Sequence, residues 1–460
     1  SIYRKKPFVK NLFYLGTSYG FGFFLFGLYW IVYSMTFDDA FKVFIPFGLF
    51  LIPLFLSLFF SVPIILSGYF LNEKISSIFL ISLLFGGADF LRSFILTGFP
   101  WNLWLYSLSG DLESLQIINS VGFFSSNLIL ITFFFSPAVI FFKNSKKYLL
   151  LAFLIILFFS NYIYGSFKIN TNQEKIHINN KTINFKIVTG DFKLSEFKYP
   201  LEISSKLIKL SEPEKYKKTI FIWPEGTFGS EDFLYIKKNS KIKNFSKNHL
   251  IILGANMKKK NEEYFNSMLV VDNNLNIVSR YDKKKLVPFG EFLPFENFLE
   301  KFGLKKITPG YSSFTSGKGE SILEFKFHGD IIRFFPFICY EIIFPNLIEK
   351  DLNEFNFLIN ISEDAWFGES IGPYQHFSKS IFRSIESGKY LIRSANMGKS
   401  VFIDPNGRVI KALESIEAGN IELEIPLNKT QEKQYKKSLI FLFVLFTYVI
   451  TYFILRRFKI

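Results

Sequence analysis

The stretch Ile331-Ile-Arg-Phe-Phe-Pro-Phe-Ile-Cys-Tyr-Glu341 decides how this chain is read. Ile331–Ile338 is apolar and rich in Ile and Phe, which reads as a buried strand, and the run breaks on Cys339, the only cysteine of the chain. A strand that ends on a nucleophile and turns into a helix exposes that side chain at the sheet edge and aims a helix N-terminus at it. Both effects favour the thiolate, the reactive form. An inert buried thiol is the competing reading, and placement alone does not separate the two. With one cysteine, an intrachain disulfide is impossible.

Outward from this strand the same texture continues. Thr182–Thr189 alternates like a strand, Thr219–Trp223 is a short apolar strand, and His249–Leu253, Ser267–Val271, Ile277–Tyr281, Phe357–Ile361 and Lys399–Ile403 follow. Ile203–Leu210 and Gln375–Ser387 have helical spacing. Strands interleaved with helices predict an α/β or layered sandwich domain over 166–436, entered through a Lys/Asn-rich linker at 166–181 and left through a polar stretch at 427–437.

The rest of the chain has a different character. Of 460 residues 49% are hydrophobic, 62 are Phe, only 20% are charged, and the mean hydropathy is +0.24. This excludes disorder, a collagen-like rod and a disulfide scaffold, and it points to a partly membrane-embedded protein. Runs near 12–34, 43–69, 76–97, 115–142, 148–165 and 438–455 are long enough to cross a bilayer. They predict a helical bundle over 1–165 and a closing membrane helix with a tail over 437–460. Asn119, Ser120, Ser125, Ser126 and Asn127 make the fourth run an inward-packing one, and Asp89 and Arg92, three apart on the third, are placed to pair. No secretory signal peptide is visible, and a start at Ser1 fits a processed or incomplete product.

Basic clusters set the orientation. Arg4, Lys5 and Lys6, then Lys74, then Lys143, Lys146 and Lys147, and finally Arg456, Arg457 and Lys459 fall on alternating sides of the spans. The loops around Asp38 and Asp39 and at 98–114 carry little positive charge. The positive-inside rule then puts both ends in the cytoplasm and 166–436 outside. The net charge of +15 suits anionic lipid head groups, and no nucleic-acid-binding module is present in the sequence. Phe99, Trp101, Trp104 and Tyr106 fall on the domain's side, as an interfacial anchor or as ordinary belt aromatics.

Two further segments carry possible chemistry. Trp223-Pro224-Glu225-Gly226 closes a strand on a clamped carboxylate, and Tyr281-Asp-Lys-Lys-Lys-Leu-Val-Pro-Phe-Gly-Glu291 runs from a strand into a rigid turn. A Glu, a Lys and a Cys at strand ends converge if the sheet edge gathers them. The carboxylate then takes the thiol proton, and the ammonium lowers the thiol pKa and stabilises an oxyanion. Turn capping and a solvated basic face are the bland alternatives. His177, His249, His328 and His376 lack metal-ligand spacing, and a structural His376 is favoured over a Cys–His dyad. No Walker loop, dinucleotide fingerprint or zinc motif appears, so no cofactor or metal is expected.

The blocks WPEG (223–226), YDKKKLVPFGEFLPFE (281–296), ICYE (338–341), DAWFG (364–368) and GPYQH (372–376) resemble the signatures of apolipoprotein N-acyltransferases, and GFGFFLFGLYW (20–30) and TGFPWNLWLYSLSG (97–110) resemble that family's membrane segments. The resemblance implies a polytopic α-helical membrane bundle plus an α/β nitrilase-like αββα sandwich held in the periplasm at the inner membrane of a Gram-negative bacterium. It implies Glu225 as general base, Lys283 as catalytic lysine and Cys339 as nucleophile, with Glu291, Tyr340 and Glu341 as supporting residues. It also implies ping-pong transfer of the sn-1 acyl chain of a membrane phospholipid, phosphatidylethanolamine, onto the N-terminal amine of a diacylglyceryl-Cys apolipoprotein through a Cys thioester. The chain departs from the pattern in several ways. Six spans replace about eight, the missing pair being expected before Ser1. Thr189-Gly190-Asp191 replaces Gln-Gly-Asn, Glu363 replaces Asn, and the family's loop Trp has only Phe197 or Tyr199 as candidates. A membrane-tethered amidohydrolase and a transporter or scaffold with an outer receptor domain are the rivals.

Overall fold

The computed structural model describes residues 8–143, 146–176, 181–194, 196, 199–239, 244–259, 263–299, 301, 306–307, 313–348, 354–414, 417–427 and 436–458. The chain falls into two compact units, 1–173 with 435–460, and 174–434.

The first unit is helical: α1 (Phe8–Leu28), α2 (Ile45–Leu56), α3 (Leu58–Phe70), α4 (Ser76–Arg92), α5 (Phe123–Phe135), α6 (Lys147–Ile176), and, after the second unit, the helix Lys437–Arg457. Small residues bring backbones together: a Cβ on Gly16 of α1 would lie 2.5 Å from the Ser61 Cα of α3. Five helical stretches among the described residues are long and apolar enough to cross a membrane: Phe8–Thr36, Ile45–Phe70, Phe123–Phe141, Lys147–Thr171 and Lys437–Arg457.

The bounds of several expected spans shift. The run 76–97 resolves as a 17-residue helix ending at Arg92, and it is not among those five. The run 115–142 starts late: Gly122, at φ +84°, separates the short helix Ile118–Val121 from α5. Asn119 and Ser120 therefore precede the span, whereas Ser125, Ser126 and Asn127 are buried in it. Helix α6 continues to Ile176, so much of the expected linker at 166–181 is helical. His177 and Phe197 lie outside the described residues.

Buried polar groups fasten the segment after α4. Arg92 meets Asp89 at 3.1 Å and donates to the carbonyls of Phe99 and Asn102, each at 2.9 Å. Asn127 donates to the other Asp89 oxygen at 2.9 Å, and its own carbonyl accepts the Leu105 N–H at 2.9 Å. This folds the 97–110 segment inward. Trp101 is 1% exposed and packs on Trp30, and Tyr106 is also buried, whereas Phe99 and Trp104 are half-buried, so Trp101 and Tyr106 present no exposed ring.

The second unit is the αββα sandwich. Its strands are β1 (Thr182–Thr189), β2 (Thr219–Ile222), β3 (His249–Lys258), β4 (Tyr264–Val271), β5 (Ile277–Asp282), β6 (Leu323–Phe327), β7 (Asp330–Ile338), β8 (Phe357–Glu363), β9 (Leu391–Asn396), β10 (Ser400–Ile403), β11 (Val409–Leu413) and β12 (Gly419–Pro426). One sheet runs β12-β1-β2-β3-β4-β5 and the other β11-β10-β9-β8-β7-β6. β1, β2 and β3 are parallel in the first sheet, and β7, β8 and β9 in the second. Phe185, Ile222, Ile252 and Met268 of one sheet pack with Phe334, Ile338, Ile359 and Phe402 of the other, which makes the inner core. The helices Pro200–Ser211 and Ser230–Asn239 cover the outer face of the first sheet, burying Leu207, Phe233 and Ile236 with Trp223 and Leu253. β6, β9, β11 and β12 were not anticipated: β6, β11 and β12 are edge strands in which charged residues interrupt any long apolar run, and β9 is a central strand whose sequence Leu-Ile-Arg-Ser-Ala-Asn is too polar to read as one.

Candidate active site

Glu225 follows β2, Lys283 follows β5, Cys339 follows β7 and Glu363 ends β8. In an open parallel sheet the carboxyl ends of the strands are where loops gather reactive groups, and facing the two sheets gathers two such edges.

The buried Glu225 carboxylate is held on both oxygens. Its Oε1 accepts from Asn266 Nδ2 at 2.7 Å and lies 3.3 Å from Lys283 Nζ, while Oε2 accepts from the Glu363 N–H at 3.0 Å. Lys283, 1% exposed, also meets Glu291 Oε1 at 2.9 Å. Asn266 Nδ2 bridges to that same Glu291 oxygen at 2.8 Å, and Glu291 Oε2 accepts the Val287 N–H at 2.8 Å. One ammonium thus serves two carboxylates, with an amide between them. The Glu225 and Lys283 charges both bear on the Cys339 thiol, in opposite directions.

Cys339 sits at φ +48°, a left-handed conformation that costs a non-glycine residue about 1–3 kcal/mol. The turn that follows, Cys339–Ile343, is a single 3₁₀ turn. Glu341 secures it: Oε2 accepts the Ile338 N–H at 2.9 Å, while Oε1 accepts from Tyr281 Oη at 2.8 Å, from the Lys284 N–H at 2.7 Å and from the Lys285 N–H at 3.1 Å. Glu341 therefore ties the Cys339 elbow to the lysine turn. Tyr340 is buried edge-on against Phe344, and burial pushes its phenol pKa well up.

Electrostatics corrects the thiolate expectation. Burial, and then the Glu225 charge, push the Cys339 pKa well above its usual value, against the pull of Lys283. Burial likewise raises Glu225, with Glu291 adding to it and Lys283 opposing. Burial works against the Lys283 charge, but Glu225 and Glu291 outweigh it and hold the ammonium well above the lysine range. The resting site holds a neutral thiol beside a base of raised pKa and a permanent cation, so the thiol must hand over its proton to react.

His376 does not form the dyad. Its Nε2 faces the Cys339 carbonyl oxygen at 3.2 Å and its Nδ1 faces Asp364 Oδ1 at 2.9 Å. Asp364 also accepts from Ser362 Oγ at 2.6 Å and from Arg393 at 2.6 Å. Against burial, Arg393 and His376 hold the Asp364 carboxyl well below the usual carboxylate range.

The departures are accommodated. Glu363 accepts from Asn396 Nδ2 on both oxygens, at 2.8 and 2.9 Å, and from the Ala365 N–H at 3.1 Å. Burial, with the charges of Glu225 and Asp364, pushes its pKa well up, which favours the neutral acid. Asn396 reaches on to the Phe192 N–H and carbonyl, each at 2.8 Å, fixing the loop after β1. Tyr199 is 57% exposed. Asn266 was not anticipated; the available signal was a polar residue amid the apolar run of β4.

Residues 1–136 match the apolipoprotein N-acyltransferase N-terminal domain, and residues 243–435 match the carbon-nitrogen hydrolase domain. The apolipoprotein N-acyltransferase of Rickettsia prowazekii (strain Madrid E) is 33% identical over 429 residues, spanning 90% of this chain and 83% of that protein. The chain belongs to the apolipoprotein N-acyltransferase family. The family's member from Rickettsia typhi (strain ATCC VR-144 / Wilmington) is 32% identical over 90% of this chain and 83% of its own length. That from Rhizobium rhizogenes (strain K84 / ATCC BAA-868) is 28% identical over 88% and 78%. The apolipoprotein N-acyltransferase family makes the protein an acyltransferase built on a carbon-nitrogen hydrolase domain, and it does not favour the amidohydrolase or transporter readings.

Proposed function

We propose that this protein transfers a fatty-acyl chain from phosphatidylethanolamine, at sn-1, to the N-terminal amine of a diacylglyceryl-Cys apolipoprotein, with Cys339 as the carrier. The observation that carries the reading is the meeting of Glu225, Lys283 and Cys339 in one buried cluster. Glu225 takes the Cys339 proton as sulfur attacks the ester carbonyl. Lys283 and the Tyr340 N–H meet the oxyanion that forms. As the tetrahedral adduct collapses, Glu225 returns the proton to the departing lysophospholipid oxygen and a thioester remains. The lipoprotein amine then attacks the thioester, Glu225 takes the amine proton, and collapse restores the Cys339 thiol. Glu291 keeps Lys283 in place, while Glu341 and Tyr340 hold the elbow.

Both substrates are membrane-anchored, which supports a membrane bundle over 1–165, a periplasmic catalytic domain over 166–436 and a closing helix over 437–460 in the inner membrane. In this topology Ser76–Arg92 crosses as well. Its 17 residues extend about 25 Å, close to the hydrocarbon thickness, with Asp89 and Arg92 near one end.

Incubation with phosphatidylethanolamine, followed by intact-protein mass spectrometry, tests the reading. An acyl adduct on Cys339 is expected, absent in Cys339→Ala and diminished in Lys283→Ala. A wild-type chain that transfers the acyl group with no adduct on Cys339, or an adduct that persists in Cys339→Ala, would overturn it.

A further inference from the structure

We propose that His376 is a positioning residue for acyl transfer: its Nε2–H grips the Cys339 carbonyl and so fixes the Tyr340 N–H that faces the oxyanion. The inference rests on the function proposed above. It starts from the 3.2 Å contact between His376 Nε2 and the Cys339 carbonyl oxygen. A carbonyl oxygen only accepts, so this contact is a hydrogen bond in the two ring states that protonate Nε2: the imidazolium, which also serves Asp364, and the Nε2–H tautomer, whose Nδ1 accepts from Arg393 at 3.3 Å. The peptide between Cys339 and Tyr340 is planar and trans, which makes its C=O and N–H point in opposite directions. Holding the oxygen from behind therefore sets where the Tyr340 N–H points.

The grip matters because the backbone here does not hold itself. Cys339, at φ +48°, occupies a region that side-chain-bearing residues avoid, and such a conformation persists only where its surroundings over-determine it. The ring that provides the hold is itself immobilised. Asp364 Oδ1 meets Nδ1 at 2.9 Å, Ser362 and Arg393 fix Asp364, and Arg393 continues to Asn360. Phe367 packs edge-on against the imidazole at 5.2 Å. His376, Asp364 and Arg393 are all fully buried and come from the helix Gly372–Ser387, the turn after β8, and β9. Three elements thus converge behind one carbonyl. His376 meets the Cys339 carbonyl oxygen, while the charge that bears most on the thiol is that of Glu225, so the peptide and the sulfur are governed from two branches.

The two branches predict separable kinetics. The full-length chain in detergent micelles is given phosphatidylethanolamine for single-turnover acylation of Cys339 and, separately, iodoacetamide for alkylation. Alkylation displaces iodide and builds no oxyanion. His376→Phe is expected to slow acylation about 10- to 100-fold at unchanged half-saturating lipid, with alkylation within about twofold of wild type. His376→Gln, which restores an N–H, should recover most of the loss. Asp364→Asn, which keeps the ring in place with a weaker partner, should fall in between, and it serves if His376→Phe does not fold. Acylation at the wild-type rate in both His376→Phe and Asp364→Asn, a parallel fall in alkylation, or no rescue by His376→Gln would each overturn the assignment. Absence of acylation in the wild type would instead sink the acyl-transfer reading itself.

Discussion

Lys283 Nζ lies 2.9 Å from Glu291 Oε1, in a pocket that leaves the lysine 1% exposed. Eight residues separate them, the length of one turn that brings the carboxylate back over the ammonium. Glu291→Gln keeps the shape and removes the charge. The lysine then has Glu225 alone as its carboxylate partner, and acylation of Cys339 should fall about 10- to 100-fold, measured as single-turnover thioester formation. An unchanged rate would mean that Glu291 does not position Lys283.

Glu225→Gln removes the base and leaves the fold's hydrogen bonds largely in place. Because burial makes Cys339 a resting thiol, acylation should drop about 10²- to 10⁴-fold. Alkylation by iodoacetamide at neutral pH should hold or rise, because the Glu225 charge raises the thiol pKa and its loss favours the thiolate. Wild-type acylation in Glu225→Gln would assign the proton to another acceptor.

The pH dependence follows from the same shifts. Glu225 acts as base only when ionised, and burial raises its pKa above the usual glutamate range. Acylation should therefore fade on acidification at a pH above that range. Glu291 contributes to raising Glu225, so in Glu291→Gln this acid limb should move to lower pH. Lys283 is held above its ordinary range and should add no alkaline loss near neutrality. A pH–rate profile of single-turnover acylation in both proteins reads the sign directly.

Glu341 satisfies the backbone N–H groups of Ile338, Lys284 and Lys285. Glu341→Ala leaves buried donors without acceptors and should cost about 3 kcal/mol or more. Tyr281→Phe removes a single donor to the same carboxylate and should cost about 1.5 kcal/mol. Thermal unfolding of the full chain in detergent ranks the two, and equal midpoints would contradict this order.

In the helical unit, Asp89→Ala strands the buried Arg92 guanidinium. It should destabilise by about 3–5 kcal/mol in the same assay. A midpoint unchanged from wild type would show that the Phe99 and Asn102 carbonyls suffice to hold the arginine.

Much of this protein was legible in one dimension. Apolar runs of spanning length announce the helices, and the strand–Cys339 junction is visible because a buried β run has a short-range signature. The strands carrying Glu225 and Lys283 were readable for the same reason. Which of the three consecutive lysines, 283, 284 or 285, enters the pocket was set by motif resemblance, because no local rule distinguishes them. In the fold, register decides: β5 ends at Asp282, so Lys283 turns inward beside Glu291, while the Lys284 and Lys285 backbones are used to bind Glu341.

What the sequence alone determined is therefore the set of elements and the candidate chemistry at their ends, since periodicity and chain breaks depend on neighbours a few residues apart. Only the tertiary structure decided the partners of Asn266, the charge state of Cys339, the carbonyl grip of His376 and the inward fold of 97–110. Each of these depends on groups that meet across large sequence separations, and on burial, which exists only once the sheets have closed on one another.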